Sequence, residues 1–97
     1  MSYELGFHPD ALSEWRRLDA SVRAMFKKNL TERLQHPRVP AAQLGGQPDR
    51  FKIKLRAAGY RLVYAARDAQ VIVVVVAVGK RERSAVYKAA AGRLGGT

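Results

Sequence analysis

The sequence contains no cysteine and only two histidines, and these scarcities exclude several classes of chemistry. Without cysteine there is no disulfide framework, no thiolate nucleophile and no cysteine zinc site. His8 and His36 lie far apart, have no acidic residues at metal-ligand spacing and are not near a candidate nucleophile in the sequence. A Walker-type glycine-rich phosphate loop is also absent. We therefore expect a protein that works without a metal or another cofactor.

Long apolar segments are missing as well. The longest uninterrupted apolar run, residues 71–78, has eight residues, whereas a helix that spans a bilayer needs about 18 or more. The first ten residues lack the basic region and apolar stretch of a secretory signal. We expect a soluble, cytoplasmic protein with no membrane partner. A chain of 97 residues has room for one core, so residues 1–97 are expected to form a single domain.

Acidic residues are scarce relative to basic ones. The chain has 18 lysines and arginines against 8 aspartates and glutamates, which gives a formal net charge of +10 and an isoelectric point near 10.7. The excess is concentrated in residues 51–97, which contain 10 basic and 2 acidic side chains against 8 and 6 in residues 1–50. This asymmetry favours a nucleic-acid partner over a surface that is only solubilising.

The hydrophobic pattern predicts an α+β domain with a mainly antiparallel sheet, an N-terminal helical hairpin and a C-terminal helix, in the order β-α-α-β-β-β-α. The predicted elements are a strand over 2–8, helices over 11–18 and 22–36, strands over 51–56, 60–66 and 71–78, and a helix over 84–94. The strand over 71–78 is typical of a central strand covered on both faces. Residues 37–50 hold three prolines and two glycines and are predicted to form a loop, either functional or an extended crossover pinned by Leu44.

Apolar residues at strand or helix spacing are predicted to form the core. In the first strand these are Tyr3, Leu5 and Phe7. In the second helix they are Val22, Met25, Phe26, Leu30 and Leu34. Tyr60 and Tyr64 are expected to pack in the sheet. Asp10 and Ser84 are candidate N-caps for the first and last helices.

Cationic side chains are concentrated on and after the first strand of the second half. Lys52, Lys54 and Arg56 alternate with apolar residues and so share one face of this strand, and Arg61 follows just across a tight turn. Such a set of like charges suits a polyanion, with a solvated face as the alternative. Arginine forks match phosphate oxygens and stabilise the phosphorane that forms when an RNA 2′-hydroxyl attacks the adjacent phosphate. Crowding by cations would favour a neutral lysine amine, or the phenolate of Tyr87, as a proton-transfer group.

Three segments are informative through their order and spacing: FHPDALSEWRRL at 7–18, KIKLRAAGYRLVY at 52–64 and VGKRERSAVY at 78–87. In these segments, and over nearly its whole length, the chain resembles the RelE toxins of bacterial and archaeal toxin–antitoxin systems. The resemblance implies a microbial-RNase-like fold and an mRNA endonuclease that cuts codons in the A site of the small ribosomal subunit and inhibits translation. It also implies an antitoxin that wraps and neutralises the toxin and forms an operator-binding complex with it, which autoregulates the operon.

The resemblance further implies a catalytic set at matching positions, Lys52, Lys54, Arg61, Arg81 and Tyr87. The two arginines would hold and neutralise the phosphate, while the lysines and the tyrosine would share proton transfer and stacking on the flipped nucleotide. Arg56, Lys80 and Arg83 would grip ribosomal or messenger RNA. The chain departs from the archetypal member at Gly45, where that protein has an arginine, and this implies a weaker hold on RNA by the loop over 37–50.

Two other functions remain open. The related ParE toxins share the scaffold, poison DNA gyrase and lack this catalytic constellation. A noncatalytic RNA-binding protein would use the same basic sheet to neutralise phosphates, with a steep salt dependence and no cleavage. The antitoxin partner of a toxin with this surface is expected to be acidic, with an amphipathic segment that folds on binding and covers the basic face.

Overall fold

The computed structural model describes residues 2–80 and 85–93 and confirms the predicted order of elements, with one short strand added. The elements are β1 (Glu4–Phe7), α1 (Pro9–Arg16), α2 (Ala20–Gln35), a 3₁₀ turn (Pro40–Ala42), β2 (Gln43–Leu44), β3 (Gln47–Leu55), β4 (Tyr60–Arg67), β5 (Ile72–Lys80) and α3 (Ala85–Gly92). Ser84, the candidate N-cap of the last helix, lies outside the described residues. None of these helices has both the length and the hydropathy needed to cross a membrane.

The strands form one sheet in the order β1-β5-β4-β3-β2. β1 runs parallel to β5, and the other three pairings are antiparallel, so the prediction of a mainly antiparallel sheet is confirmed. β5 lies between β1 and β4, in the interior of the sheet. This position explains its uninterrupted apolar sequence, because helices cover both of its faces.

The two faces of the sheet are covered by different helices. α1 and α2 cover one face, around Trp15 and Phe26, and we call this core the hairpin core. α3 covers the other face with Val86 and Ala90, which form the α3 core together with sheet residues. A β-bulge between β4 and β5 places Val76 opposite no β4 residue. The bulge lets two consecutive β5 residues, Val76 and Ala77, face α3.

Aromatic contacts join α1 and α2 to the sheet. The ring centroid of Trp15 lies 5.4 Å from that of Phe7 on β1 and 6.2 Å from that of Phe26 on α2. The prediction of Asp10 as the N-cap of α1 is wrong, because Asp10 already lies inside the helix. His8 is the N-cap instead, and its Nδ1 accepts a hydrogen bond from the Asp10 backbone N–H at 3.1 Å.

The predicted loop over 37–50 is wrong in large part. Its residues form the 3₁₀ turn, β2 and the first four residues of β3, with Gly46 at φ +72° in the tight connection between the strands. The pairing of β2 with β3 is irregular between Gln43 and Leu44. Pro48 lies opposite this irregularity, where no ladder N–H is required of it, and so a proline is tolerated within a strand. Leu44 is buried, as the crossover alternative expected.

Two residues predicted to be core are exposed to solvent. The exposed fractions are 39% for Leu5 and 40% for Met25. Val22, Phe26 and Leu30 occupy the buried line of α2 at a spacing of four residues, and Met25 is rotated off that line by about 100°. Leu5 lies on β1, the edge strand of the sheet. Alternation identifies a face, but a residue on an edge strand is buried only where a helix covers it.

Polar side chains form a network of hydrogen bonds and ion pairs at the end of the sheet opposite the β3–β4 turn. The Tyr3 hydroxyl donates to Asp68 Oδ1 at 2.7 Å, and Arg38 Nε donates to Asp68 Oδ2 at 2.8 Å. Arg38 Nη2 also donates to Asp49 Oδ1 at 2.8 Å. The hydrogen bonds from Tyr3 and Arg38 hold the pKa of Asp68 below its ordinary value.

Asp68 should make the fold sensitive to acid. Because its folded-state pKa is lowered, the ionised carboxylate stabilises the fold at pH values above its unfolded pKa of about 4, and this contribution is lost as the pH falls through the folded-state value. We expect Asp68→Asn to lower the free energy of unfolding at neutral pH, and we expect its difference from wild type to shrink below about pH 4. Urea unfolding across this pH range measures the difference.

Asp19→Asn is the matched control. Asp19 precedes α2 and its side chain makes no capping hydrogen bond. The difference in the free energy of unfolding between Asp19→Asn and wild type should not shrink as the pH falls below about 4. If both variants show the same pH dependence, the proposed role of Asp68 is wrong.

Candidate functional site

The β3–β4 hairpin places the predicted lysines on the side of the sheet that α3 covers. Lys52 lies opposite Val63 and Lys54 lies opposite Arg61 in the strand register. Val63 belongs to the α3 core, whereas Phe51, next to Lys52, belongs to the hairpin core. Because strand side chains alternate between faces, Lys52, Lys54 and Arg61 share the α3 face, which we call the cationic face. The structure thus brings together three of the five predicted catalytic residues through strand pairing alone.

α3 adds the fourth residue, Tyr87. Arg61 lies opposite Gly79 on β5, where a Cβ would stand 3.5 Å from Val86 Cγ2. Gly79 therefore lies in ordinary packing distance of Val86, which places α3 directly over this part of the sheet. The Arg61 Cζ lies 5.1 Å from the centroid of the Tyr87 ring, a cation–π distance. Arg81, the fifth residue, and Arg83 lie outside the described residues.

Arg61 and Tyr87 both present polar atoms with unused hydrogen-bonding capacity. The Arg61 Nε and the Tyr87 hydroxyl are buried and have no hydrogen-bond partner among the described residues. A buried donor without an acceptor costs roughly 1–3 kcal/mol, so most such groups in proteins are satisfied. A phosphate oxygen is an acceptor that carries negative charge, and it would satisfy the guanidinium N–H and favour the cation at the same time. The pair therefore has the chemistry of an anion site beside an aromatic ring.

A small pocket opens beside Arg61 at the end of the β3–β4 hairpin. Its volume is about 190 Å³. It is lined by Lys54, Leu55, Arg56, Tyr60 and Arg61. Arg56, predicted to grip RNA, is thus adjacent to two members of the catalytic set. Lys80, also predicted to grip RNA, is exposed at the end of β5 opposite Tyr60.

The two sheet tyrosines have different surroundings. Tyr64 is fully buried and stacks on Phe51 at 5.6 Å, and its hydroxyl donates to the Pro37 carbonyl at 2.6 Å and accepts from Arg33 Nη1 at 2.8 Å. Burial raises the pKa of Tyr64 even though the Arg33 guanidinium opposes this shift. The prediction that Tyr64 packs in the sheet is confirmed.

Tyr60 also packs against the hairpin core, but it is only half-buried and lines the pocket. The sequence pattern assigns Tyr60 to the apolar face and so misses this second exposure. Its place at the start of β4, next to a turn, is the signal that it lies at the hairpin end, where the pocket opens. Among the described residues, no three His, Asp or Glu side chains lie close enough together to hold a metal ion.

The chain is similar to known proteins over nearly its whole length. Residues 5–85 match a family model described as the ParE toxin of the type II toxin–antitoxin system parDE. The chain is 53% identical over 94 residues to the mRNA interferase toxin RelE of Escherichia coli strain K12, which covers 97% of this chain and 99% of that protein. The fold matches the free R81A/R83A mutant of E. coli toxin RelE with a TM-score of 0.89, at 51% identity over 97% of this chain and 99% of the other. A chain of the intact E. coli RelBE toxin–antitoxin complex matches with a TM-score of 0.81 and 52% identity, over 84% of this chain and 100% of that chain.

Arg61 should bind phosphate while an arginine farther along the same strand should not. Arg67 ends β4 and lies on the same face as Arg61, so Arg61→Gln and Arg67→Gln remove the same charge from two ends of one strand. We expect Arg61→Gln to weaken binding of a 2′-O-methyl RNA trinucleotide by about tenfold, because a charge-assisted hydrogen bond is lost. Fluorescence anisotropy of a labelled trinucleotide measures the affinity. A similar loss in both variants would show a diffuse charge effect and no site at Arg61.

Proposed function

The chain belongs to the family of RelE- and ParE-type toxins of type II toxin–antitoxin systems, and on this basis we propose that it is a metal-independent endoribonuclease that cuts mRNA in the ribosomal A site and inhibits translation. The observation that carries the proposal is the guanidinium of Arg61 beneath the ring of Tyr87, beside Lys54 on the paired strand. This arrangement combines a phosphate ligand, a stacking surface and amines in one small area.

The reaction that suits these groups is transesterification by the RNA itself. The 2′-oxygen bonds to the adjacent phosphorus, the bond from phosphorus to the 5′-oxygen breaks, and a 2′,3′-cyclic phosphate and a 5′-hydroxyl result. A base must take the proton of the 2′-hydroxyl and an acid must protonate the leaving 5′-oxygen. Between attack and departure, the phosphorane carries more negative charge than the phosphate of the substrate. Hydrogen-bond donors that are fixed in position before the reaction stabilise this charge most.

We propose a role for each residue of the candidate site. Arg61 holds and neutralises the phosphate, since its planar fork matches two phosphate oxygens. Tyr87 offers its ring to the flipped nucleotide and its hydroxyl to proton transfer. Lys52 and Lys54 share the proton transfer and the charge. Arg81, at the matching position of the family, is proposed as the second phosphate ligand.

The ribosome would supply what this site lacks. The described residues that line the pocket include no histidine or carboxylate, and the pocket volume of about 190 Å³ is too small to enclose a trinucleotide. Cleavage would therefore depend on RNA that is already bent for in-line attack, because correct positioning accounts for several powers of ten in rate. Arg56, Lys80 and Arg83 are proposed as grips on ribosomal or messenger RNA.

An antitoxin is proposed as the second partner. The toxin of the E. coli RelBE complex is bound by an antitoxin, and the present chain shares its fold. The net charge of +10 favours an acidic partner that covers the cationic face. We also propose that this complex binds operator DNA through the antitoxin, that it autoregulates the operon, and that the protein acts in the cytoplasm.

Gyrase inhibition is the second candidate, because the matching family model is described as a ParE toxin. Noncatalytic RNA binding is the third, since phosphate neutralisation by the cationic face needs no proton transfer. An assay for mRNA cleavage distinguishes the proposed activity from gyrase inhibition and from noncatalytic RNA binding, since neither alternative cuts mRNA.

Primer extension on mRNA in a purified translation reaction tests the proposal. We expect discrete cuts when the protein is added to programmed ribosomes and none when it is added to naked mRNA. Arg61→Ala should lower the cleavage rate by about 100-fold through loss of transition-state stabilisation, while sedimentation with ribosomes is largely retained because many other contacts contribute. Arg67→Ala, at the other end of β4, should cut like wild type.

Three outcomes would contradict the proposal. Proportional loss of cleavage and ribosome binding in Arg61→Ala would make Arg61 a binding residue only. Ribosome binding without any cuts by the folded wild-type protein would leave the noncatalytic function. Absence of cuts together with inhibition of purified gyrase would favour the ParE-like function.

A further inference from the structure

α3 is too small to hold Tyr87 in place by itself. The helix has eight residues and buries only Val86 and Ala90. Isolated helices shorter than about 12 residues are marginal in water, so the position of Tyr87 over Arg61 depends on contacts between α3 and the rest of the fold. Two arginines that bind the C-terminal end of α3 provide these contacts.

Arg50 binds this end of α3 from β3. Its Nη1 donates to the Ala90 carbonyl at 2.7 Å and to Gln47 Oε1 at 2.9 Å, and its Nη2 donates to the Arg93 carbonyl at 2.8 Å. The last carbonyls of a helix have no partner within the helix, and the helix dipole makes them attractive to a cation. The half-buried Arg50 guanidinium is therefore a C-cap supplied by a neighbouring strand.

Arg93 binds the same end from the other side. Its Nη1 and Nη2 lie 2.8 and 3.0 Å from the two carboxylate oxygens of Glu14 on α1, and Nη1 also donates to the Val76 carbonyl at 2.9 Å. Glu14 Oε1 accepts the Val78 N–H at 3.2 Å. β1 ends opposite Val75, so these side chains satisfy the edge of β5 where the strand ladder stops. The end of α3 is thus fixed to α1 and to β5.

Arg50 lies on the cationic face, opposite Ala65, in line with Lys52 and Lys54. Its guanidinium is nevertheless directed to helix carbonyls. Ala90 follows Tyr87 by about one helical turn, so a shift of the last turn moves the ring.

We propose that Arg50 is a positioning residue for RNA cleavage: by capping α3 from β3 it fixes the Tyr87 ring over Arg61 and sets the turnover rate without contact with RNA. This inference rests on the proposed function. Arg50 acts through Tyr87, so its effect belongs to the chemical step, and the binding of RNA by the other cations is left unchanged.

Kinetics of ribosome-dependent cleavage test the proposal with Arg50→Met, which keeps the length of the side chain and removes the guanidinium. We expect kcat to fall by about tenfold, as for a misplaced catalytic group, with KM within about twofold of wild type. Arg50→Lys keeps the charge but cannot span two carbonyls, and it should recover part of kcat. In a Tyr87→Ala background, Arg50→Met should lower kcat by less than about twofold further, because residues that act as a unit are not additive.

Two measurements without RNA report the geometry directly. The Nε–H resonance of Arg61 should carry a ring-current shift from Tyr87, and Arg50→Met should reduce that shift. Hydrogen exchange at the α3 amides should become about fivefold faster, as expected for loss of a helix cap, while exchange in β5 is unchanged.

Arg38→Met is the matched control. Arg38 also bridges elements with its guanidinium, through Asp49 and Asp68, but it does not contact α3. It should lower stability and leave kcat and the Arg61 resonance unchanged.

Several results would overturn the proposal. If Arg50→Met raises KM at constant kcat, Arg50 binds RNA directly. If its effect is fully additive with that of Tyr87→Ala, the two residues act independently. If the Arg61 resonance is unchanged in Arg50→Met, Arg50 does not position Tyr87 over Arg61. Should the wild-type protein cleave no RNA, the proposed function fails, and the resonance and exchange measurements still decide whether Arg50 positions Tyr87.

Discussion

The packing of α3 against the second face of the sheet is the contact on which the candidate site depends. The bulge between β4 and β5 turns Val76 and Ala77 together toward α3, where they pack with Val86 and Ala90. This packing places the ring of Tyr87 over Arg61. Stability and chemistry share one interface, because the apolar contacts that hold α3 also fix the ring that covers the arginine.

The electrostatics of this interface favour an anion. Arg61 has a buried Nε without a partner among the described residues, and Lys52 and Lys54 add like charges on the adjacent strand. The unmet donor lowers stability. A phosphate oxygen beside Arg61 would supply the missing acceptor. The apolar contacts of α3 and the arginines at its C-terminal end offset this cost.

Period-2 alternation was sufficient to predict the cationic face and the buried Tyr64, because strand geometry fixes the side to which each residue points. It could not predict what covers each side, and for this reason Leu5 on the edge strand is exposed. Glycine and proline in residues 37–50 indicated a loop, yet the same residue types also occur at tight hairpins and at strand irregularities, where β2 and Pro48 lie. The RelE-like fold and most of the site followed from local pattern and resemblance, whereas the capping of α3 depends on contacts between distant segments.

The role of Arg50 cannot be predicted from its spacing along the strand. Arg50, Lys52 and Lys54 form one stripe, and by residue type and period all three would be assigned to RNA binding. The guanidinium of Arg50 instead donates to two carbonyls at the end of α3, so its charge already has partners within the fold. The two lysines lie farther along the strand, toward Arg61 and the pocket at the hairpin end. The position of α3 along the stripe therefore decides that Arg50 supports the helix and does not line the pocket.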